Sequence, residues 1–243
     1  MALATFVGLS LGALGSGGSI ITIPILVYVA GIAADAAVGM SLVIVGTTSL
    51  LGAALHFRNG NVAIKPAVLF AVTGIVGSYL GSTGTHLVPR RALMLLFSGI
   101  MLVVARVMWQ GAAGLRRGDS VQTQRCLLAG LGVGLLTGFL GIGGGFLIVP
   151  ALVLFAGLNP RVAAGTSLAI IALNSSSGLL GQLRFVGIDW SLLTGFLIFA
   201  IGGMFIGSNL SSHMAEGMLR RIFATMILVL GLAVGIGNLF FKG

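Results

Sequence analysis

Two short glycine-rich stretches carry the residues best suited to chemistry. They are Gly15-Ser16-Gly17-Gly18-Ser19 and Gly141-Ile142-Gly143-Gly144-Gly145. Consecutive glycines let a chain turn several backbone N–H groups toward one point. A helix starting just beyond them, near Ser19 or Gly145, aims the positive end of its dipole at the same place. That combination suits an anion, and no Asp or Glu stands near either stretch to compete for it. Downstream, Ser41, Thr48, Ser49, Gly52 and His56 recur at i, i+7, i+8, i+11 and i+15, within one arc of a helix. Ser167, Asn174, Ser175, Gly178 and Gln182 repeat that spacing. Two stripes of hydroxyls and amides facing two glycine-rich helix ends can bind an oxyanion without a fixed charge. The competing use of such groups is hydrogen bonding between membrane helices, worth roughly 0.6 kcal/mol per contact.

The ionisable residues add less. His56 is the one histidine on a stripe and can exchange a proton near neutral pH. Its place beside Arg58, at a helix end, reads first as interfacial and second as a coupling residue. Arg58 and Arg184 hold equivalent helix ends and, with Gln182, are candidates for steering an anion. An intramembrane enzyme is the rival reading, but Ser16 has no visible base. The acids Asp35, Asp119, Asp189 and Glu216 all fall near expected loops. The single cysteine, Cys126, stands beside Gln124 and Arg125 near a polar loop; it can form no internal disulfide and no thiolate metal site alone. The glycines follow no strand, so they are not a dinucleotide fingerprint. No cofactor and no metal is implied.

The elements that must position these residues follow from composition. Of 243 residues, 57% are hydrophobic and 7% charged, with a mean hydropathy of +1.16. A soluble domain carries roughly a quarter charged residues, so this is an all-α integral membrane protein, and soluble enzymes and disulfide scaffolds are excluded. Thirteen Lys and Arg against four acids give a net charge of +9. In a membrane chain that excess belongs to basic cytoplasmic loops. The basic residues have no interleaved aromatics, so nucleic acid is not an expected partner. The chain opens Met-Ala-Leu-Ala without a basic region, and its first charge is Asp35, so the first apolar stretch is expected to be mature structure rather than a signal peptide.

Charges, prolines and turn residues punctuate the chain at the ~20-residue spacing of membrane helices. The expected segments are 3–30, 36–57, 66–86, 91–110, 127–156, 162–183, 190–212 and 219–240. The polar stretch 113–126 is expected to join a first repeat, 1–112, to a second, 127–243, within one membrane domain. Pro24 and Pro150 stand 126 residues apart, and the same ungapped offset pairs Gly8 with Gly134, Gly15 with Gly141, Ser41 with Ser167, Ser49 with Ser175, Arg58 with Arg184 and Gly77 with Gly203. The first segment of each repeat is broken by its glycines, with Pro24 and Pro150 as further breaks. Each arm is too short to cross ~30 Å, and irregular backbone at membrane depth must line a cavity or be buried by protein. A re-entrant pair of half-helices is therefore favoured. Gly8-xxx-Gly12, Gly130-xxx-Gly134, Gly77-xxx-Gly81 and Gly203-xxx-Gly207 are read instead as close-packing motifs.

Orientation follows from the basic residues. If the first segments spanned, the repeats would be parallel and eight basic residues would face five. If they re-enter, the repeats are inverted, and Arg58, Lys65, Arg106, Arg116, Arg117, Arg125, Arg161, Arg220 and Arg221 face only Arg90, Arg91, Arg184 and Lys242. The inverted arrangement has the sharper positive-inside bias. Inverted repeats with broken helices are the architecture of many secondary transporters, which bind substrate near the midplane between the repeats.

Gly12-Ala-Leu-Gly-Ser-Gly-Gly-Ser-Ile-Ile-Thr-Ile-Pro24 and Gly138-Phe-Leu-Gly-Ile-Gly-Gly-Gly-Phe-Leu-Ile-Val-Pro150 are each followed by Ala-(Val/Ala)-Gly-(Met/Thr)-Ser-Leu. This doubled pattern, running through the whole chain, resembles the sulfite exporter family TauE/SafE. The resemblance implies a bacterial-type, multi-pass inner-membrane permease for sulfite, sulfonates or related sulfur-containing anions, moved outward. The first copy departs from the second in having Ser16 and Ser19 in place of Ile142 and Gly145. Expected partners are the small anion, a coupled proton, the lipid bilayer and further copies of the chain.

Overall fold

The computed structural model describes residues 2–16, 18–84, 90–110, 123–140, 145–182 and 190–240. Among the described residues ten α-helices follow one another: α1 (Ala2–Leu14), α2 (Gly18–Pro24), α3 (Ala34–Arg58), α4 (Ile64–Gly84), α5 (Arg90–Gln110), α6 (Thr123–Leu140), α7 (Gly145–Leu154), α8 (Pro160–Gln182), α9 (Trp190–His213) and α10 (Glu216–Phe240). A π-helical turn, Ile25–Val29, extends α2. There is no strand among the described residues. Within α3, α4, α9 and α10, four stretches are long and apolar enough to cross a membrane. Their outer faces carry bare apolar side chains such as Val72, Val76, Ile198, Phe205 and Val229, which suit lipid contact.

The first residues of α3, α4 and α5 stand 126 positions before those of α8, α9 and α10. Local stops repeat too. Gly31 takes φ +69° and Gly157 φ +65°, and across them Ile32 N–H bonds Leu26 C=O at 3.1 Å while Leu158 N–H bonds Leu152 C=O at 3.2 Å. Each glycine thus caps a helix in a left-handed conformation that costs glycine little.

The largest packing contacts are α1 on α9, α4 on α6, α3 on α8 and α5 on α10. Glycines make the first two possible. A Cβ on Gly8 would overlap the Ala200 carbonyl, one on Gly203 the Thr5 carbonyl, one on Gly134 the Gly74 carbonyl and one on Gly77 the Leu131 carbonyl. The close-packing reading of these glycines is therefore correct. Because Gly8 meets Ala200 and Gly12 meets Met204, α1 and α9 run parallel, and α4 and α6 do likewise. In contrast α3 and α8 run antiparallel: Gly46 meets Ser175, Gly52 meets Leu168 and His56 meets Gly165. α5 and α10 are also antiparallel, with Met101 on Gly231 and Ser98 on Gly235.

α1 has 13 residues, about 20 Å at 1.5 Å per residue, and it stops where Gly15 takes φ +75°. Gly18 then lies against the Val7 carbonyl and Leu11 side chain of α1, so the chain folds back on itself rather than continuing. α7 is buried along its whole length, and it touches α2 at the centre of the bundle.

Three expectations need correction. Pro150 lies inside α7, which continues to Leu154, and Pro24 marks a change from α to π winding. A proline removes one backbone donor, and at Pro150 that loss does not end the helix. α6 begins at Thr123, which makes residues 123–126 helical and leaves Cys126 buried rather than in the loop. His56 is discussed below.

Candidate anion site

The middle of α3 crosses the middle of α8. Gly46 leaves space for Ser175, whose Cβ would lie 3.1 Å from a Cβ at residue 46. This register sets Thr48 and Ser49 alongside residues 172–174 of the opposing helix. Thr48, Ser49 and Ser167 are fully buried, and Ser41 and Ser175 nearly so. The two polar stripes thus meet along one protein-lined seam.

The hydroxyls on that seam are not equivalent. Ser41 donates to the Val38 carbonyl at 2.7 Å and Thr48 to the Ile44 carbonyl at 2.6 Å, both within their own helix. Their donors are engaged as membrane-helix hydroxyls usually are. Ser49 Oγ and Asn174 Oδ1 are buried without a partner. Buried polar atoms are normally satisfied, so these two are exceptions on the seam.

The first glycine break reaches the same seam. Ser167 Oγ lies 2.8 Å from the Gly15 carbonyl and 2.7 Å from the Ala164 carbonyl, so a hydroxyl of α8 ties down the end of α1. Gly15 has no room for a side chain, since a Cβ would sit 2.6 Å from the Ala164 backbone. Ser16 is fully buried beside it, and Gly18 opens α2. Gly145 opens α7 as anticipated. The expectations for Gly17, Gly141, Gly143, Gly144 and Arg184, and for the side chains of Ser19 and Gln182, lie outside the described residues.

His56, two residues from the end of α3, is enclosed by protein rather than bare at the helix end. It is only 4% exposed, because Gly165 gives its ring space against α8. Neither ring nitrogen completes a hydrogen bond, while the Gly12 backbone and Arg161 are close enough to act on it electrostatically. Arg58, by contrast, is exposed at the helix end.

Two residues were missed by the reading of the stripes. Thr166, fully buried, accepts the Ala63 N–H at 3.0 Å and so fixes the α3–α4 connection. Arg161 donates to the Met214 carbonyl at 2.8 Å and the Ser211 carbonyl at 3.4 Å, at the α9–α10 connection. Neither has a like residue 126 positions away, where Met40 and Asp35 stand, and comparison of the halves therefore passed over them. No group of three or more metal-ligating side chains occurs among the described residues.

Comparison with known proteins agrees with this architecture. The family model described as "Sulfite exporter TauE/SafE" matches residues 1–234. A "Probable membrane transporter protein" of Xylella fastidiosa is 35% identical over 240 residues, covering 94% of this chain and 90% of its own length. The "Probable membrane transporter protein YdhB" of Bacillus subtilis is 28% identical over 225 residues, covering 90% and 92% respectively. No solved structure matches the chain. The protein belongs to the sulfite exporter TauE/SafE family, and is a multi-pass membrane transporter rather than an enzyme.

Proposed function

We propose that the protein is a secondary transporter of small sulfur-containing anions such as sulfite or organosulfonates. It works by alternating access around a site at the α3–α8 crossing, between inverted repeats 1–112 and 127–243, in the cell (inner) membrane. The observation that carries this reading is the antiparallel crossing itself, with the Ser49 hydroxyl, which can donate, buried and unpartnered at mid-helix. Equivalent helices that run in opposite directions support inversion, as does the chain folding back at Gly15. The substrate site comprises Gly15, Ser16, Gly17, Gly18, Ser19, Ser41, Thr48, Ser49 and their counterparts Gly141, Gly143, Gly144, Gly145, Ser167, Asn174 and Ser175. Neither stripe, 41–56 or 167–182, contains an Asp or Glu, so coupling through a carboxylate on them is disfavoured, and His56 is the proposed proton partner.

Thermal melting of the purified protein in detergent tests this, with sulfite, thiosulfate, sulfate, taurine, sulfoacetate and chloride at matched ionic strength. A ligand bound only by the folded state stabilises it by about 2.7 kcal/mol at one hundred times its Kd. A shift selective for one sulfur oxyanion or sulfonate is expected. Equal response to all six, chloride included, would favour a passive anion channel, which concentrative uptake into proteoliposomes separates from a transporter.

A further inference from the structure

Arg161 is the second residue of α8, and Gly165 lies one turn on along the same face. Glycine at 165 admits the His56 ring: a Cβ there would stand 2.7 Å from His56 Cβ and 2.9 Å from Cγ. The imidazole is 96% buried, with neither nitrogen completing a well-formed hydrogen bond although the Gly12 backbone lies close by. Arg161 Nε is likewise buried and unpartnered. The other bonds of the guanidinium go to the neutral carbonyls of Ser211 and Met214, and no carboxylate pairs with it among the described residues. A buried cation with a free N–H, beside a buried imidazole without a well-formed hydrogen bond, is costly unless an anion completes the set.

We propose that Arg161 and His56 form a loading site for the transported anion, at the end of the bundle where α3 finishes and α8 begins. The proposal rests on the anion-transport reading above. The ligand is a compact oxyanion with at least two oxygens, accepting from Arg161 Nε and from a His56 ring N–H. Ser167, two residues beyond Gly165, holds the Gly15 carbonyl, so the loading site adjoins the first glycine break and leads to the α3–α8 crossing. The opposite mouth is differently equipped. The 126-residue offset puts Asp35 where Arg161 stands, in the first turn of α3, and Gln182 where His56 stands. One mouth of the pathway therefore attracts anions, and the other carries a carboxylate on its helix instead of a cation.

The full chain in proteoliposomes, with labelled sulfite, decides the matter. Arg161→Gln is expected to lower Vmax/KM about tenfold, the size of one charge-assisted hydrogen bond, with Arg161→Lys retaining most of the wild-type value. His56→Gln lowers it severalfold, and Lys65→Gln, an exposed charge at the same end, leaves it unchanged. Potassium gluconate raised from about 10 mM to about 100 mM shortens the Debye length from about 30 to about 10 Å. Applied to the face from which α8 enters, it lowers wild-type uptake; applied to the other face, it does not; in Arg161→Gln the response flattens. Wild-type behaviour in Arg161→Gln, equal damage in Arg161→Lys, or salt acting alike from both faces would overturn the loading site. If Arg161→Gln fails to insert, His56→Gln is read by the same criteria. Absence of sulfite uptake by the wild type counts against the substrate reading instead. Arg161→Gln must then abolish the melting shift given by whichever of thiosulfate, sulfate, taurine or chloride stabilises the wild type, and if none does, both proposals fall.

Discussion

Ser49 and Ser167 are both fully buried serines on the seam, but their hydroxyls are differently employed. Ser167 holds the Gly15 carbonyl, whereas Ser49 has no partner. Removing a made, buried hydrogen bond costs about 1–3 kcal/mol, while removing an unsatisfied hydroxyl costs little or relieves a penalty. Ser167→Ala should therefore lower the melting temperature in detergent, and Ser49→Ala should leave it level or raise it. For substrate the order reverses. Ser49→Ala is expected to weaken the stabilising effect of the anion severalfold in the same melting assay. Unaltered ligand response in Ser49→Ala would remove that hydroxyl from the site. The stripe itself was legible from the i, i+7, i+8 spacing, but which of its hydroxyls are engaged was not, because helical hydroxyls bond backward to their own carbonyls as Thr48 does. His56 was misjudged for a related reason. Arg58 two residues on suggests a membrane surface, and only the absence of a side chain at Gly165, 109 residues away in sequence, lets the ring inside.

At the scale of elements, two adjacent glycines on α9 separate packing from propensity. A Cβ at Gly203 collides with the Thr5 carbonyl of α1, while one at Gly202 meets nothing within 4 Å. Gly203→Ala must push α1 away and should cost about 1–3 kcal/mol, as overpacked cores do. Gly202→Ala should be harmless or slightly stabilising, since alanine favours a helix over glycine. Melting of the two variants in one detergent checks the contrast. Breaks at glycine and close packing at spaced glycines could both be read in advance, because each depends on the missing Cβ. The role given to Pro24 and Pro150 could not, since a proline's effect depends on what surrounds it, and α7 is enclosed on every side. The expected segment 3–30 became α1 and α2, and the expected segment 127–156 became α6 and α7.

For the molecule as a whole, the partner helices cross between halves. α1 packs mainly on α9, α6 mainly on α4, and the α3–α8 and α5–α10 pairs also join one half to the other. Neither half holds the main packing partner of any of these helices. Expressed separately, residues 1–112 and 113–243 should each fail to yield folded membrane protein. Co-expressed, they should co-purify and restore anion-dependent stabilisation. A folded first half on its own would contradict the packing described. The repeat in sequence was visible from composition and spacing, but the exchange of partners was not, because a uniform apolar surface does not say which helix it will meet.

The pairing of α1 with α9 also bears on how the chain is made. α1 is made well before α9, and with 13 residues it is too short to settle across a bilayer alone. Its chief partner begins at Trp190, so at about 5–20 residues per second the opening segment waits roughly 10–40 seconds for the helix that holds it. During that interval its glycine-bearing face has no neighbour in the nascent chain to cover it fully. Synthesis therefore imposes a late closing step, in which an early helix is locked by one made much later.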